Sequence, residues 1–342
     1  MSREGRPFAA ALVLQGLLSP PKRAKAKAGR SKPAKPRMSA KSAGERRPAP
    51  GTFVDGQFSN AHGRLAYKLY TPVGSARRRL PLVVMLHGCT QSAADFAVGT
   101  GMNRLADELG VLVLYPEQSV AANFGRCWNW HRPGDQARGR GEPAVIAGLT
   151  RRIIALCKAN PARVYIAGLS AGGAAAAIVA AAYPELYVAV GVHSGLARGE
   201  VSTLAGAISA MRRGVQSGAG ASGRTPRPLP TIVFHGDQDS IVHPSNAGGF
   251  LSLLSRSSSR PLSGAQTRGR SRNGRAYTRS EYRHGAGPVM LEAWTVHGSG
   301  HGWSGGAAAG SYTDPAGPDA SREMLRFFLQ RKRPAGSTSL KR

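Results

Sequence analysis

Acidic residues are scarce in this chain. Only 18 Asp and Glu stand against 47 Lys and Arg, giving a formal charge of +29. Such an excess bears on attraction to polyanions, not on fold. Cysteine is scarcer still, with Cys89, Cys127 and Cys157 as the three. Three are too few for a disulfide scaffold, and their spacing suits no zinc site. No apolar run is long enough for a transmembrane helix, so none is expected.

What is present is core material. Apolar residues make up 41% of the 342, enough for one large α/β domain or two smaller ones. The positive charge is unevenly placed. Residues 1–50 carry 13 Lys and Arg against 2 Glu, and residues 255–283 carry eight Arg against one Glu. The first of these segments is basic and reads as disordered, because Lys, Arg, Ala, Pro and Ser between Pro20 and Pro50 give nothing to bury. A solvated tail is favoured there over contact with nucleic acid or another polyanion. Before it, Arg3 and Arg6 precede the apolar stretch Pro7–Leu18, like the short apolar region of a signal peptide. No clean Ala-x-Ala cleavage site follows, and an interfacial helix or a plain tail are the other readings.

From Gly51 the pattern turns globular, and one catalytic domain is expected over 51–333, followed by a short basic tail, 334–342. Strands are expected at Arg64–Thr71, Leu80–Leu86, Val111–Tyr115, Val164–Ala167, Val188–Val192, Thr231–Phe234 and Val289–Val296. Helices are expected at Ser92–Leu109, with Ser92 as N-cap and Gly110 as stop, at Glu142–Lys158, after Ser170, and at Asp319–Lys332. Cys157 falls on the apolar face of the second and is expected to be buried and inert. Strands and helices alternate, which argues for an α/β fold with a mostly parallel central sheet and helices on both faces. Two stretches rich in Ser, Gly, Arg and Pro, about 211–230 and 254–287, read as loop insertions.

The chemistry is concentrated in Gly168-Leu-Ser-Ala-Gly172. A Gly-x-Ser-x-Gly pattern alone is weak. Here an apolar strand precedes it and an alanine-rich helix former run follows, the context a nucleophile elbow requires. Glycines at 168 and 172 let the turn tighten until Ser170 projects into a cleft. A serine nucleophile needs a base, and the base needs an orienting acid. With this elbow the acid comes next in the chain and the histidine last. The strand Thr231–Phe234 runs into a turn with two aspartates. Asp239, re-anchored by Ser-Ile-Val, is preferred as the acid and Asp237 as a brace for the turn, a choice that leans on the resemblance below. Of the later histidines, His301 lies in a glycine-rich loop past the last strand and is taken as the base, while His297 is read as structural. The oxyanion would rest on the N–H of Ala171 and on that of Cys89, in the loop after the strand Leu80–Leu86. Trp128, Trp130 and Trp303 are substrate-pocket candidates, with a place in the core as the equal alternative. Cys89 and Cys127 flank these segments, and a disulfide between them is considered. This chemistry calls for no metal and no cofactor.

The motifs Leu86-His-Gly-Cys-Thr-Gln91, Gly101-Met-Asn103, Tyr115-Pro-Glu-Gln118, Cys127-Trp-Asn-Trp130, Gly168-Leu-Ser-Ala-Gly-Gly173, His193-Ser-Gly195, His235-Gly-Asp-Gln-Asp239 and Gly300-His-Gly-Trp-Ser-Gly-Gly306 together resemble the polyhydroxybutyrate depolymerase family of esterases. It is the type with the lipase box in the middle of the catalytic domain. The resemblance spans roughly 53–331 and implies an α/β-hydrolase fold and hydrolysis of short-chain polyhydroxyalkanoate polymers or oligomers. It implies Ser170, Asp239 and His301 as the triad and Cys89 at the oxyanion hole. Feruloyl and acetyl xylan esterases share the scaffold, so a small carbohydrate-linked ester is the alternative substrate. A non-catalytic basic protein that binds granules or polyanions through residues 1–50 is the reading from another class. The family implies secretion, which a Cys89–Cys127 bridge would suit. The chain lacks the family's carboxy-terminal linker and binding domain, so tight adsorption to crystalline polymer is not expected. The arginine-rich segment 255–283 has no counterpart in the family pattern.

Overall fold

The structure is a computed structural model and describes residues 51–74, 79–198, 201, 203–214, 228–257 and 259–334. The basic segment 1–50, most of the 211–230 insertion and residues 335–342 of the tail lie outside the described residues.

The chain begins with an antiparallel hairpin, β1 (Thr52–Asn60) and β2 (Gly63–Thr71), whose second strand lies antiparallel to β4 (Leu112–Glu117). The sheet then continues in parallel through β3 (Leu82–Leu86), β5 (Val164–Leu169), β6 (Ala189–His193), β7 (Thr231–Gly236) and β10 (Leu291–Val296). Its far edge is a second hairpin, β8 (Leu262–Arg270) and β9 (Ala276–His284), antiparallel to β10. The full order is β1-β2-β4-β3-β5-β6-β7-β10-β9-β8.

The parallel strands are buried on both faces. All five residues of β3 and all six of β5 are buried, as their unbroken apolar sequences require. Alternation along each strand divides the core in two. Leu82, Val84, Leu86 and Ile166 pack on one side with α3 (Gly141–Leu156), α4 (Ala171–Ala182) and α6 (Gly248–Arg256). Val83, Met85, Tyr165 and Ala167 pack on the other with α1 (Ala93–Thr100), α2 (Met102–Leu109) and α7 (Ala320–Leu329). The short helix α5 (Leu204–Arg213) lies outside these layers, over a third cluster.

Three expectations are corrected. The single helix expected over Ser92–Leu109 is two helices. Gly101, at φ 61° and ψ 18°, caps α1 through its N–H to Ala97 and Val98, and the chain turns before α2 begins. The expected insertion 254–287 is mainly the β8–β9 hairpin, and residues 211–213 complete α5. The arginines hid the hairpin because β8 is exposed along almost its whole length and has no apolar face to read. Ladder pairing and side-chain contacts hold it instead. Arg279 lies over the Trp294 ring and donates to the buried Glu292 at 3.1 Å, and Tyr277 packs on the same ring. Finally, Cys157 follows the last turn of α3 as its C-cap and packs against the core as expected, but is half-buried, not buried.

Among the described residues, no helix is long and apolar enough to cross a membrane.

Candidate active site

Because β3, β5, β6, β7 and β10 run in parallel, their carboxyl ends meet at one edge of the sheet, where crevices form. Ser170 follows the end of β5. It has φ 56° and ψ −121°, a conformation that a side chain other than hydrogen strains. Packing enforces it. A Cβ on Gly168 would lie 2.3 Å from the Gly172 carbonyl oxygen, and one on Gly172 would lie 2.2 Å from the carbonyl oxygen of Leu86. The Ser170 N–H donates to His193 O at 2.8 Å, so β6 fixes the turn from the other side.

Asp239 sits in the turn after β7. That turn is pressed against the loop past β10. A Cβ on Gly236 would lie 2.2 Å from Ser299 O, and the Gln238 N–H donates to the same carbonyl at 3.0 Å. The contact brings His301 to Asp239, with Nδ1 donating to Oδ2 at 2.8 Å. Oδ1 of Asp239 accepts the backbone N–H groups of Ile241 at 3.0 Å and Val242 at 2.9 Å. Burial alone would raise the pKa of this carboxyl. The charge of His301 and hydrogen bonds from His235 and His301 outweigh burial and hold it well below the usual carboxylate range. The carboxylate is therefore fixed and charged, as an orienting acid must be. No hydrogen bond joins Ser170 Oγ to His301 Nε2 in this structure. They belong to segments that His193 ties together: its carbonyl accepts from Ser170, and its Nε2 accepts from the Ser304 N–H at 2.9 Å. Burial lowers the His193 pKa to about 3, which keeps the ring neutral and able to accept.

The loop after β3 forms the opposite wall. Gly88 N–H donates to Gln91 Oε1 at 2.9 Å, and Thr90, at φ 65°, donates its N–H to Gly125 O at 2.7 Å. A disulfide joins Cys89 to Cys127. Cys89, Cys127, Trp130 and Ala171, which include the two residues considered as oxyanion donors, pack in one buried cluster. Among the described residues, neither the Cys89 nor the Ala171 N–H donates to a backbone acceptor outside helix or strand ladders. Ala171 opens α4, where first-turn N–H groups have no helical partner and favour negative charge.

The three tryptophans separate. Trp130 belongs to the cluster beside Cys89 and Ala171. Trp128 and Trp303 are core, not pocket. Trp128 is fully buried, and its Nε1 donates to His87 O at 3.1 Å. Trp303 lies between Phe96 and His193, with Nε1 donating to Ser321 Oγ at 2.9 Å. Each indole spends its one polar atom on holding a site loop, which leaves no edge for a ligand.

A second imidazole–carboxylate pair stands nearby. His297 Nδ1 is 2.8 Å from Asp237 Oδ2, its Nε2 is 2.9 Å from Thr278 Oγ1, and Asp237 Oδ1 accepts the Gly298 N–H at 2.7 Å. Residue patterns also gave no role to Gln91, Asp95, Ser311 and Tyr312. Gln91 Nε2 donates to Asp95 Oδ2 at 3.0 Å and to Ser311 O at 3.1 Å, and Tyr312 bridges Thr90 Oγ1 at 3.1 Å to the edge of the His301 ring. They bind the loop after β3 to the segment past His301 across more than 200 residues, a separation no local pattern reveals.

Known proteins share this arrangement of chain. The family model described as "Esterase PHB depolymerase" matches residues 65–276. The chain is 30% identical to poly(3-hydroxyalkanoate) depolymerase C of Paucimonas lemoignei, over 72% of this chain and 60% of that protein. It is 29% identical to feruloyl esterase B of Neurospora crassa, over 76% of this chain and 87% of that protein. Against acetylxylan esterase A of Talaromyces purpureogenus it is 29% identical over 56% of this chain and 53% of that protein. The chain thus spans less than two thirds of the depolymerase and of the acetylxylan esterase. Among solved structures, an acetyl xylan esterase from Aspergillus awamori aligns with a TM-score of 0.57 at 18% identity, covering 78% of this chain and 94% of that one. With the doubly covered parallel sheet and the serine elbow in place, the family match over well more than half the chain shows that it belongs to the esterase PHB depolymerase family and has the α/β-hydrolase fold.

Proposed function

We propose that this protein is a serine esterase in which Ser170, His301 and Asp239 form the catalytic triad and short-chain polyhydroxyalkanoates are the substrate. The observation that carries the reading is the buried Asp239–His301 pair at 2.8 Å, at the same sheet edge as a serine held at φ 56°. His301 Nε2 takes the Ser170 proton as Oγ attacks the ester carbonyl. The oxyanion rests on the N–H groups of Ala171 and Cys89. The protonated imidazole passes its proton to the leaving alcohol, and a water activated by the same ring releases the hydroxy acid. Asp239 stays ionised throughout and stabilises the imidazolium.

Polyhydroxyalkanoate is favoured because the family model and the depolymerase relative both carry that activity in their names. A feruloyl or acetyl ester of a polysaccharide is the second reading, favoured by the feruloyl esterase of which the chain spans 87%. Trp130 then flanks the acyl or alcohol group. The Cys89–Cys127 disulfide supports an oxidising, extracellular setting. The test is hydrolysis of soluble 3-hydroxybutyrate oligomers beside a feruloyl ester and an acetylated xylan oligomer. Turnover of the oligomers at the highest kcat/KM supports the first reading. Turnover of the sugar-linked esters alone moves the enzyme to the second, and no turnover of any ester by folded protein removes both.

A further inference from the structure

His235 is the penultimate residue of β7 and takes no proton-transfer or bond-making step in the reaction above. Strand alternation sends Phe234 to the face where it stacks on His193, and His235 to the other. There the ring is buried, with Nε2 2.8 Å from Val242 O and 3.4 Å from Asp239 Oδ2. A carbonyl oxygen only accepts, so Nε2 carries the proton. Val242 in turn donates its N–H to Asp239 Oδ1 at 2.9 Å. The contacts close a ring: His235 to Val242, Val242 to Asp239, and Asp239 back towards His235. Nδ1, by contrast, is buried with no hydrogen-bond partner among the described residues. An aromatic hydrocarbon of similar size would fill this space without an unpaired polar atom. The imidazole's contribution therefore lies in its Nε2–H.

We propose that His235 is a positioning residue for the Asp239–His301 pair. Its Nε2–H holds the Asp239–Val242 turn and completes the set of donors around the carboxylate that orients His301. This role rests on the triad reading given above. Without the Nε2–H, the turn keeps its backbone bonds but the carboxylate gains freedom to rotate. Misplacement of a catalytic group by about 1 Å can cost on the order of a hundredfold.

Three variants test the proposal: His235→Gln, His235→Asn and His235→Phe. The amide nitrogen of Gln reaches the place of Nε2, whereas that of Asn ends near Nδ1 and reaches neither acceptor. With a soluble butyrate ester, His235→Gln is expected within about threefold of wild-type kcat, and Asn and Phe are expected roughly ten- to a hundredfold lower, with KM little changed in all three. A merely space-filling role predicts the opposite order, with Phe tolerated and Gln not rescued. If Phe does not fold, the Gln–Asn pair, both polar, decides. Equal kcat in all variants and wild type, or Gln as impaired as Asn, overturns the role. Ser170→Ala and Asp239→Asn are measured alongside. If these retain wild-type turnover, the triad reading falls and takes this inference with it. If they lose turnover while the His235 series does not, only the inference falls.

Discussion

Two histidine–aspartate pairs stand at the same sheet edge, and both have an Nδ1–Oδ2 distance of 2.8 Å. Their surroundings differ. The His301 and Asp239 side chains are 6% and 0% exposed, while those of His297 and Asp237 are 42% and 32% exposed. Asp239 accepts two backbone N–H groups and stands beside a further imidazole, whereas the far nitrogen of His297 is occupied by Thr278, on the added hairpin. Geometry within the pair therefore does not separate the proposed base and its orienting acid from a brace. The separation lies in exclusion of water, which strengthens the field of a carboxylate on its partner, and in what the second ring nitrogen faces.

The sharpest way to break the comparison is to disable each pair in turn. Asp239→Asn and His301→Ala are expected to lower kcat on a soluble ester by roughly a thousandfold or more. Asp237→Asn and His297→Ala are expected to change it by no more than about fivefold, since that pair only steadies the turn. Comparable losses from both sets in steady-state assays would mean the exposed pair also serves the reaction.

The walls of the inner site yield the next largest effect. The disulfide closes a loop of 38 residues between the loop after β3 and the Trp128–Trp130 segment. Chain entropy predicts about 3–4 kcal/mol lost on Cys127→Ala, read as a lower urea midpoint. An unchanged midpoint would show that hydrogen bonds such as Thr90 to Gly125 hold the wall alone.

A smaller effect depends on pH. Glu142 is half-buried behind the Trp128–Trp130 segment, where it accepts from Asn129, and loss of solvation of its carboxyl, followed by the nearby Asp135 charge, raises its pKa to about 8. Its folded pKa lies above the unfolded value, so the protonated form stabilises the fold. That contribution is complete below about pH 4.5 and is lost as pH rises through 8. The stability of wild type relative to Glu142→Gln should therefore decline between pH 5 and pH 8.5, as measured by denaturant titration at each pH. A difference that stays constant or grows across this range contradicts the assignment. Smallest of all, removing the exposed pair should cost the fold within about 1 kcal/mol, because both partners are more than about a third open to water or close to it.

The legible parts of this protein are those where local sequence and tertiary role coincide. The unbroken apolar runs of β3 and β5 can only be buried strands, and two glycines around a serine between strand and helix leave little freedom in the turn. The illegible parts depend on contacts made elsewhere in the chain. The β8–β9 hairpin is arginine-rich and exposed, and its pairing with β10 is a tertiary fact. Trp128, Trp130 and Trp303 look alike in sequence, and only the packing and the indole-nitrogen partners of Trp128 and Trp303 place those two in the core. Gly101 matched a helix interior well enough by apolar period to hide its left-handed backbone.

The central claim is that the buried pair serves Ser170. A fluorophosphonate, which phosphonylates activated serines with loss of fluoride, followed by peptide mass analysis, tests it directly. The account predicts one modified residue, Ser170, with labelling lost in His301→Ala and retained in His297→Ala. Labelling of a different residue, or of Ser170 at an undiminished rate in His301→Ala, would contradict it.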